Sequence, residues 1–404
     1  MTIFSNKNII LGVTGSIAAY KAADLASRLT QAGTHVEILL TSAAEKFVTP
    51  LTFQSVTGRR AFIDAELWGG EAHVLHVGLG HSADLLVIAP CTANTIAKLA
   101  SGIADNLLTI TALAADCPIL IAPAMDAGMF SHPATQTNIE ILRQRGVTVI
   151  GPEEGRMASG LVGLGRMTEP AELFGQIRLA LGRGGPLKGK KVVVTASGTQ
   201  EPIDPVRVIT NRSSGKQGYA LAQAALDAGG NVVLITAPTG LTPPIGARIL
   251  EVRTAEQMLA AVLAESADAD ALLMAAAVAD FRPKQVATEK LKKRDGIPRV
   301  ELEAVPDILA AVAELRSKTK RPRCVVGFAA ESRDLLDNAS AKLHSKKLDL
   351  IVANDISSPD AGFATDTNRV TFIYADCNKE VLPLMSKSEV GERVIERLLG
   401  LLEQ

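Results

Sequence analysis

The sequence predicts an α/β protein made of two successive units, each a mostly parallel sheet covered by helices. Three observations carry this. Short apolar runs alternate with stretches of helical spacing along the chain, and a glycine- and proline-rich interruption divides the alternation near its middle. Of 404 residues, 47% are hydrophobic, enough to bury two substantial cores.

In the first half, strands are predicted at 8–13, 35–40, 84–89, 118–122 and 147–150. Between the first two, Ala18, Ala22, Leu25 and Leu29 recur at helical spacing, and Gly33 punctuates the end of that helix. The stretch Gly182-Arg-Gly-Gly-Pro-Leu-Lys-Gly189 breaks the pattern and is read as a linker, which sets the units at 1–181 and 190–404. A new series of strands follows at 191–195, 232–236, 248–252, 271–276, 324–328, 350–353 and 369–374.

Composition removes several functional classes. With 42 Lys and Arg against 43 Asp and Glu the formal charge is -1, so no polyelectrolyte surface for nucleic acid is expected, and 3% aromatic content argues against base-stacking platforms. Apolar runs such as 271–279 are too short to cross a bilayer, and neither a cleaved leader nor a membrane partner is expected. Cys91, Cys117, Cys324 and Cys377 show no paired CxxC spacing, which fits a reducing, cytoplasmic setting.

The turn Gly12-Val-Thr-Gly-Ser16 joins the first strand to its helix, where free N–H groups and the helix dipole favour an anion. Ser16 is expected to cap the helix and touch phosphate, although a plain tight turn explains the same residues, and a GxGxxG fingerprint is missing. Thr41-Ser42 and Pro90-Cys-Thr-Ala-Asn94 end two further strands, so polar groups gather at the carboxyl edge of the sheet, where open α/β folds bind ligands. In the second half Asn211-Arg-Ser-Ser-Gly-Lys-Gln-Gly218 is another donor-rich loop, ahead of a helix expected to begin near Tyr219. Lys342 and Lys346 share a helix face, and 289–295 reads as a charged surface loop.

These motifs resemble one family along nearly the whole chain. Gly15-Ser-Ile-Ala18, His76, Ala83-Asp-Leu-Leu-Val-Ile-Ala-Pro90, Thr92-Ala-Asn-Thr95 and Pro123-Ala-Met125 are similar to the decarboxylase half of the bifunctional phosphopantothenoylcysteine decarboxylase and phosphopantothenate–cysteine ligase family. Glu201-Pro-Ile-Asp-Pro-Val-Arg207, Ile209-Thr-Asn-Arg-Ser-Ser-Gly-Lys216, Ala275-Ala-Ala-Val-Ala-Asp280, Glu289-Lys-Leu-Lys292 and Val326-Gly-Phe-Ala-Ala-Glu331 are similar to its ligase half. The resemblance implies a flavodoxin-like or Rossmann-like first unit of the homo-oligomeric flavin-containing cysteine decarboxylase fold, forming trimers with FMN at subunit boundaries, and a second Rossmann-like unit. Dimerisation through the second unit would close a dodecamer.

For the first unit the resemblance implies FMN contacts at Gly15, Ser16, Ser42, Thr92 and Asn94, with His76, Asp126 and Ser159 at the reacting centre. Flavin chemistry there oxidises the cysteine-derived thiol carbon, so that the neighbouring carboxylate leaves as CO2 into a stabilised enethiolate, and the hydride is later returned. On residues alone, His73, His76 and His81 also read as a metal cluster or as surface histidines. The family commonly has Asn where this chain has Asp126; either that carboxyl donates a hydrogen bond in its neutral form or it binds another part of the substrate. Many members have a cysteine proton donor where Ser159 stands, in the flap 156–167.

For the second unit the resemblance implies that 4'-phosphopantothenate attacks the α-phosphate of CTP, and that L-cysteine then displaces CMP from the acyl-cytidylate. Asn211 and Lys290 match the catalytic positions. Ser213, Ser214, Gly215, Met274, Ala275, Ala276, Asp280, Lys290, Pro306, Asp307, Ile308, Leu309, Phe328, Lys342 and Lys346 match nucleotide contacts. Asp307 reads equally as a helix cap. Mg2+ is expected with the CTP phosphates, Asp280 being its candidate ligand, and Ser197 replaces a glycine usual in the family's loop. Two alternatives stand beside this reading. The ligase is active with the first half a flavin-binding assembly scaffold, or the chain is a regulatory binding protein of the flavin fold, for which the charged tails such proteins use are missing.

Overall fold

The computed structural model describes residues 3–68, 75–156, 160–293, 296–331, 335–355 and 365–403, and they divide into two units, Met1–Leu181 and Gly182–Gln404.

The first unit runs β1 (Asn8–Val13), α1 (Ala19–Gln31), β2 (His35–Leu40), α2 (Pro50–Thr57), β3 (Ala61–Ile63), α3 (Leu75–Ser82), β4 (Leu85–Cys91), α4 (Ala93–Ser101), α5 (Leu107–Ala114) and β5 (Ile119–Pro123). It continues with α6 (Ala127–Ser131), α7 (Pro133–Gln144), β6 (Thr148–Val149), the hairpin β7 (Glu153–Arg156) and β8 (Val162–Arg166), and α8 (Pro170–Gly182). The main sheet is parallel throughout, in the order β3-β2-β1-β4-β5-β6. Of the two doubly wound patterns expected, this is the Rossmann order.

Its strands are apolar on both faces because both are covered. Ile9, Leu11 and Val13 of β1 pack with Ala22, Leu25 and Leu29 of α1 and with Leu173 and Ile177 of α8. The intervening Ile10 faces Ile96, Leu108 and Ile139 of α4, α5 and α7. The helix predicted after β1 therefore forms on the expected residues, with one correction at its start. Ser16 is not its N-cap: that position is Ala18, whose N–H donates to Ser16 Oγ at 3.2 Å.

The second unit opens with the segment read as a linker. That stretch is packed: Leu187 is fully buried and its N–H donates to the Ala228 carbonyl at 2.7 Å. Then follow β9 (Lys191–Ala196), the hairpin β10 (Gln200–Asp204) and β11 (Arg207–Thr210), α9 (Lys216–Asp227), β12 (Asn231–Thr236), β13 (Arg248–Glu251), α10 (Ala255–Ser266) and β14 (Ala271–Met274). After these come the hairpin β15 (Phe281–Pro283) and β16 (Leu302–Ala304), α11 (Ile308–Thr319), β17 (Cys324–Glu331), α12 (Leu335–Ser345) and β18 (Leu350–Asp355). The chain closes with β19 (Thr367–Asn368), β20 (Val370–Tyr374), β21 (Lys379–Val381), β22 (Met385–Ser386) and α13 (Lys387–Glu403).

The large sheet has the order β13-β12-β9-β14-β17-β18-β20-β21, antiparallel only at β20 and β21. Its six parallel strands, counted along the chain, again lie third, second, first, fourth, fifth, sixth. Both units thus have a point where the strand order reverses, between β1 and β4 in one and between β9 and β14 in the other. Helix α9 begins at Lys216, with Gly215 as N-cap, three residues before the expected Tyr219. The left-handed φ of +79° at Gly215 lets the chain turn into the helix, and a Cβ there would meet Ser197 Oγ.

Candidate active sites

Each reversal point carries a cavity, as expected where neighbouring strand–helix connections run in opposite directions. In the first unit a cavity of about 1010 Å³ opens beyond the carboxyl ends of β1 and β4 and is lined by Gly15, Ser16, Ser42, Thr92, Asn94 and Asp126. Thr14 ties its floor together: its hydroxyl donates to the Pro90 carbonyl at 2.8 Å and accepts from the Thr92 N–H at 3.1 Å. Thr92 also caps α4 by accepting from Thr95 N–H. At Gly15 an added Cβ would lie 2.5 Å from Ala43 Cβ, so glycine is what allows the β1–α1 turn to approach the loop after β2.

Asp64 holds the opposite wall. One carboxylate oxygen accepts from Ser42 N–H at 2.7 Å and the other from Leu107 N–H at 3.3 Å. Asp126 caps α6 by accepting from Gly128 N–H at 2.9 Å. The β7–β8 hairpin forms a further wall through Arg156, Gly165 and Arg166, and the Gly165 carbonyl accepts from Met125 N–H at 3.0 Å.

In the second unit a cavity of about 460 Å³ lies at the carboxyl ends of β14, β17 and β18, against the first turn of α9 and the loop that leads into it. It is lined by Asn211, Ser213, Ser214, Gly215, Met274, Ala275, Ala276 and Asp280, and by Pro306, Asp307, Ile308, Leu309, Phe328, Lys342 and Lys346. Asn211 clasps the loop after β14, donating through Nδ2 to the carbonyls of Ala277 and Val278 at 3.3 and 3.0 Å. Asp307 caps α11 through Ala310 N–H at 2.9 Å and pairs with Lys346. Burial pushes its carboxyl up, but Lys346, the Ala310 N–H and Lys342 together hold it below the ordinary aspartate value. Lys342 Nζ donates to the Phe328 carbonyl at 3.0 Å. Ser197 adopts a left-handed φ of +69°, the conformation glycine takes without cost, and its hydroxyl lies 3.3 Å from Thr236 Oγ1.

Comparison with known proteins follows the same division. A family model described as Flavoprotein matches residues 3–181, and one described as DNA/pantothenate metabolism flavoprotein C-terminal domain matches residues 187–401. The coenzyme A biosynthesis bifunctional protein CoaBC of Bacillus subtilis is 44% identical, covering 100% of this chain and 99% of its own. The chain belongs to the CoaBC family. The relative of the same name from Mycobacterium tuberculosis strain H37Rv is 43% identical over 98% of this chain and 97% of its own. A solved C-terminal domain of a CoaBC protein is 37% identical and covers 54% of this chain and 98% of that one, with a TM-score of 0.46. The protein is accordingly a bifunctional enzyme of coenzyme A biosynthesis, a flavoprotein decarboxylase joined to a ligase.

Two expected catalytic residues, His76 and Lys290, do not line the cavities. His76 sits on α3 away from the first cavity, and its Nδ1 is buried without a hydrogen-bond partner. Lys290 is exposed on the loop between β15 and β16 and does not line the second cavity. Ser159 lies outside the described residues, as does His73. Among the described residues no three His, Cys, Asp or Glu side chains converge on a metal position. No helix among them is long and apolar enough to cross a membrane.

Sequence reasoning missed Thr14, Asp64, Arg156 and Arg166 in the first cavity and Lys216, Gln217, Asn354, Asn368 and Lys387 in the second. Thr14 lay in plain view within the Gly12–Ser16 turn. Arg156 and Arg166 bound the flap, and Lys216 and Gln217 lie in the Asn211–Gly218 loop, whereas Asp64, Asn354, Asn368 and Lys387 stand outside every motif and only the fold brings them to the cavities.

Proposed function

We propose that the second cavity joins 4'-phosphopantothenate to L-cysteine at the expense of CTP, and that the first, with bound FMN, decarboxylates the product to 4'-phosphopantetheine. The observation that carries this reading is the correspondence of the two cavities. Each lies at a strand-order reversal, and Gly15, Ser16, Ser42, Thr92 and Asn94 line one while fourteen of the fifteen expected nucleotide contacts, all but Lys290, line the other.

The first cavity suits FMN in size and chemistry. It has about 1010 Å³ of space, and the β1–α1 turn brings N–H donors and the Ser16 hydroxyl to its edge with no acidic residue in the first turn of α1. Bound flavin supplies a two-electron acceptor and donor for the substrate carbon. Around it, Asp64 holds the Ser42 loop in place, and Asp126, which caps α6 through Gly128 N–H, lines the cavity wall. Ile17, Tyr20, Trp68 and Met129 leave apolar surface exposed at the cavity wall, Trp68 by 87%, which supports closure of the site by a second copy and delivery of His76 from that copy. Trimers through this unit and dimers through the other make the expected dodecamer.

In the second cavity a carboxylate oxygen of phosphopantothenate attacks the α-phosphorus of CTP, and pyrophosphate leaves. The amine of cysteine then attacks the acyl carbon and CMP leaves. Asn211, fixed to the loop after β14, stands at the reacting end, and Lys290 enters through movement of its loop or from another copy. Asp280, on the cavity wall, would hold Mg2+, which would offset the charge of the CTP phosphates. The free thiols of Cys91, Cys117, Cys324 and Cys377 suit the reducing cytoplasm, where these substrates are expected.

Separate assays of the two steps test the assignment. His76→Asn is expected to lower decarboxylation by about 10²-fold or more and leave ligation unchanged, and Asn211→Asp to do the reverse. Variants that impair both steps together, or neither, contradict it.

A further inference from the structure

The motif Glu201-Pro-Ile-Asp-Pro-Val-Arg207 lines neither cavity, yet it holds two nearly buried carboxylates, Glu201 and Asp204, each 2% exposed. Glu201 serves the fold: one oxygen accepts from Ala255 N–H at 2.8 Å, at the start of α10. Asp204 does two things. Its Oδ1 accepts from the N–H groups of Val206 and Arg207, both at 2.8 Å, and so closes the turn between β10 and β11. Its Oδ2 pairs with Arg207 Nη1 and also accepts from Leu291 N–H at 3.2 Å, while the same Nη1 donates to the Leu291 carbonyl at 3.1 Å. Both backbone polar groups of Leu291 are therefore gripped by one ion pair from a distant hairpin.

Leu291 directly follows Lys290, on the loop that joins β15 to β16. That loop is tied at its root by Lys284 N–H to the Glu301 carbonyl at 2.9 Å, and it meets β10 where Ala287 N–H donates to the Ile203 carbonyl at 3.0 Å. β11 ends at Thr210, so the next residue is Asn211, whose side chain clasps the loop after β14. One hairpin thus leads into Asn211 and grips the chain beside Lys290. The turn by itself needs only Oδ1, an atom that asparagine also has. It is Oδ2, facing the donors of Arg207 and Leu291, that requires a carboxylate: an amide there would set a donor against two donors.

We propose that Asp204, acting with Arg207, is a positioning residue for ligation: its carboxylate anchors the loop at Leu291 and so sets the place from which Lys290 reaches the reacting groups. The proposal rests on the ligase reading of Lys290. The Lys290 side chain is exposed, so the grip fixes the backbone pivot beside it and leaves the ammonium free to swing. Such an anchor makes no bond to substrate; it limits the conformations that the loop must search before Lys290 acts.

Asp204→Asn keeps the turn and breaks the grip, and it is compared with Lys290→Gln and wild type in the full-length protein. Two readouts are taken: the rate of tryptic cleavage after Lys290 and Lys292, and the kinetics of ligation with phosphopantothenate, cysteine, CTP and Mg2+, including which species accumulates. In Asp204→Asn the loop should be cut about tenfold faster. Its kcat for ligation should fall about tenfold or more while KM for CTP stays within about twofold, and the reaction should stall at the same step as in Lys290→Gln. Decarboxylation of added phosphopantothenoylcysteine should be unchanged. Cleavage at the wild-type rate, an undiminished kcat, or a stall at a different step from Lys290→Gln each overturns the proposal. If Lys290→Gln ligates as fast as wild type, the reading of Lys290 falls and the proposal with it. Should Asp204→Asn lose the cooperative melt of the second unit, Arg207→Gln, whose side chain is 47% exposed, is measured in its place, with the same expected and overturning results.

Discussion

Asp126 both caps α6 and lines the first cavity. Its Oδ1 accepts from Gly128 N–H at the start of α6, a task an asparagine oxygen performs equally well. The second atom of the side-chain fork differs: a carboxylate offers an acceptor where an amide offers a donor. Asp126→Asn is therefore expected to leave thermal stability nearly unchanged while altering the decarboxylation rate, whereas Asp126→Ala should also cost about 1 kcal/mol through loss of the cap. Denaturant melts beside single-turnover decarboxylation separate the two effects, and an equal loss of stability in both variants would contradict the capping argument. Asp307 was legible in the same way: its place before an apolar helical run allowed a cap or a nucleotide contact, and it lies on the cavity wall while capping α11. Lys387 and Asn368 were not legible, because they meet Gln217 across 170 and 151 residues of chain and no local spacing reveals such a meeting.

At the scale of elements, period and apolarity sufficed for the buried strands. The strands predicted at 8–13 and 35–40 coincide with β1 and β2, whose consecutive buried residues leave little doubt about type. β3 and β21, three residues each at sheet edges, escaped because so short a segment carries no periodic signal. The start of α9 was placed late because Lys216 and Gln217 are polar, and their polarity serves the cavity and not the core. The β1–α1 turn depends on close approach, so Gly15→Ala should force the turn away from Ala43, at an overpacking cost of about 1–3 kcal/mol. The purified variant is expected to have lost most of its bound flavin absorbance while keeping ligase activity; a fully yellow variant would show that the turn is not the flavin cradle.

The whole molecule repeats one topology twice, and each unit has its own buried core: Ile9, Leu25 and Leu173 belong to one, Val193, Leu272 and Val325 to the other. The mid-chain interruption marked the change of unit, but its glycines and prolines concealed Leu187, which is buried against the second unit's own core elements. A chain cut between Leu181 and Gly182 is expected to give two separately folding pieces, each with a cooperative unfolding transition. Starting the second piece at Lys190 should cost about 1.5–3 kcal/mol from the lost Leu187 burial. Equal stability of the pieces beginning at 182 and at 190 would contradict that packing.

The central claim is that both reactions occur in one chain. Its most direct measurement is mass spectrometry of the products formed when the purified full-length protein is incubated with phosphopantothenate, cysteine, CTP and Mg2+. The account predicts 4'-phosphopantetheine together with CMP and pyrophosphate. Accumulation of phosphopantothenoylcysteine would contradict the decarboxylase assignment and favour a scaffold role for the first unit, and absence of any condensed product would contradict the ligase assignment.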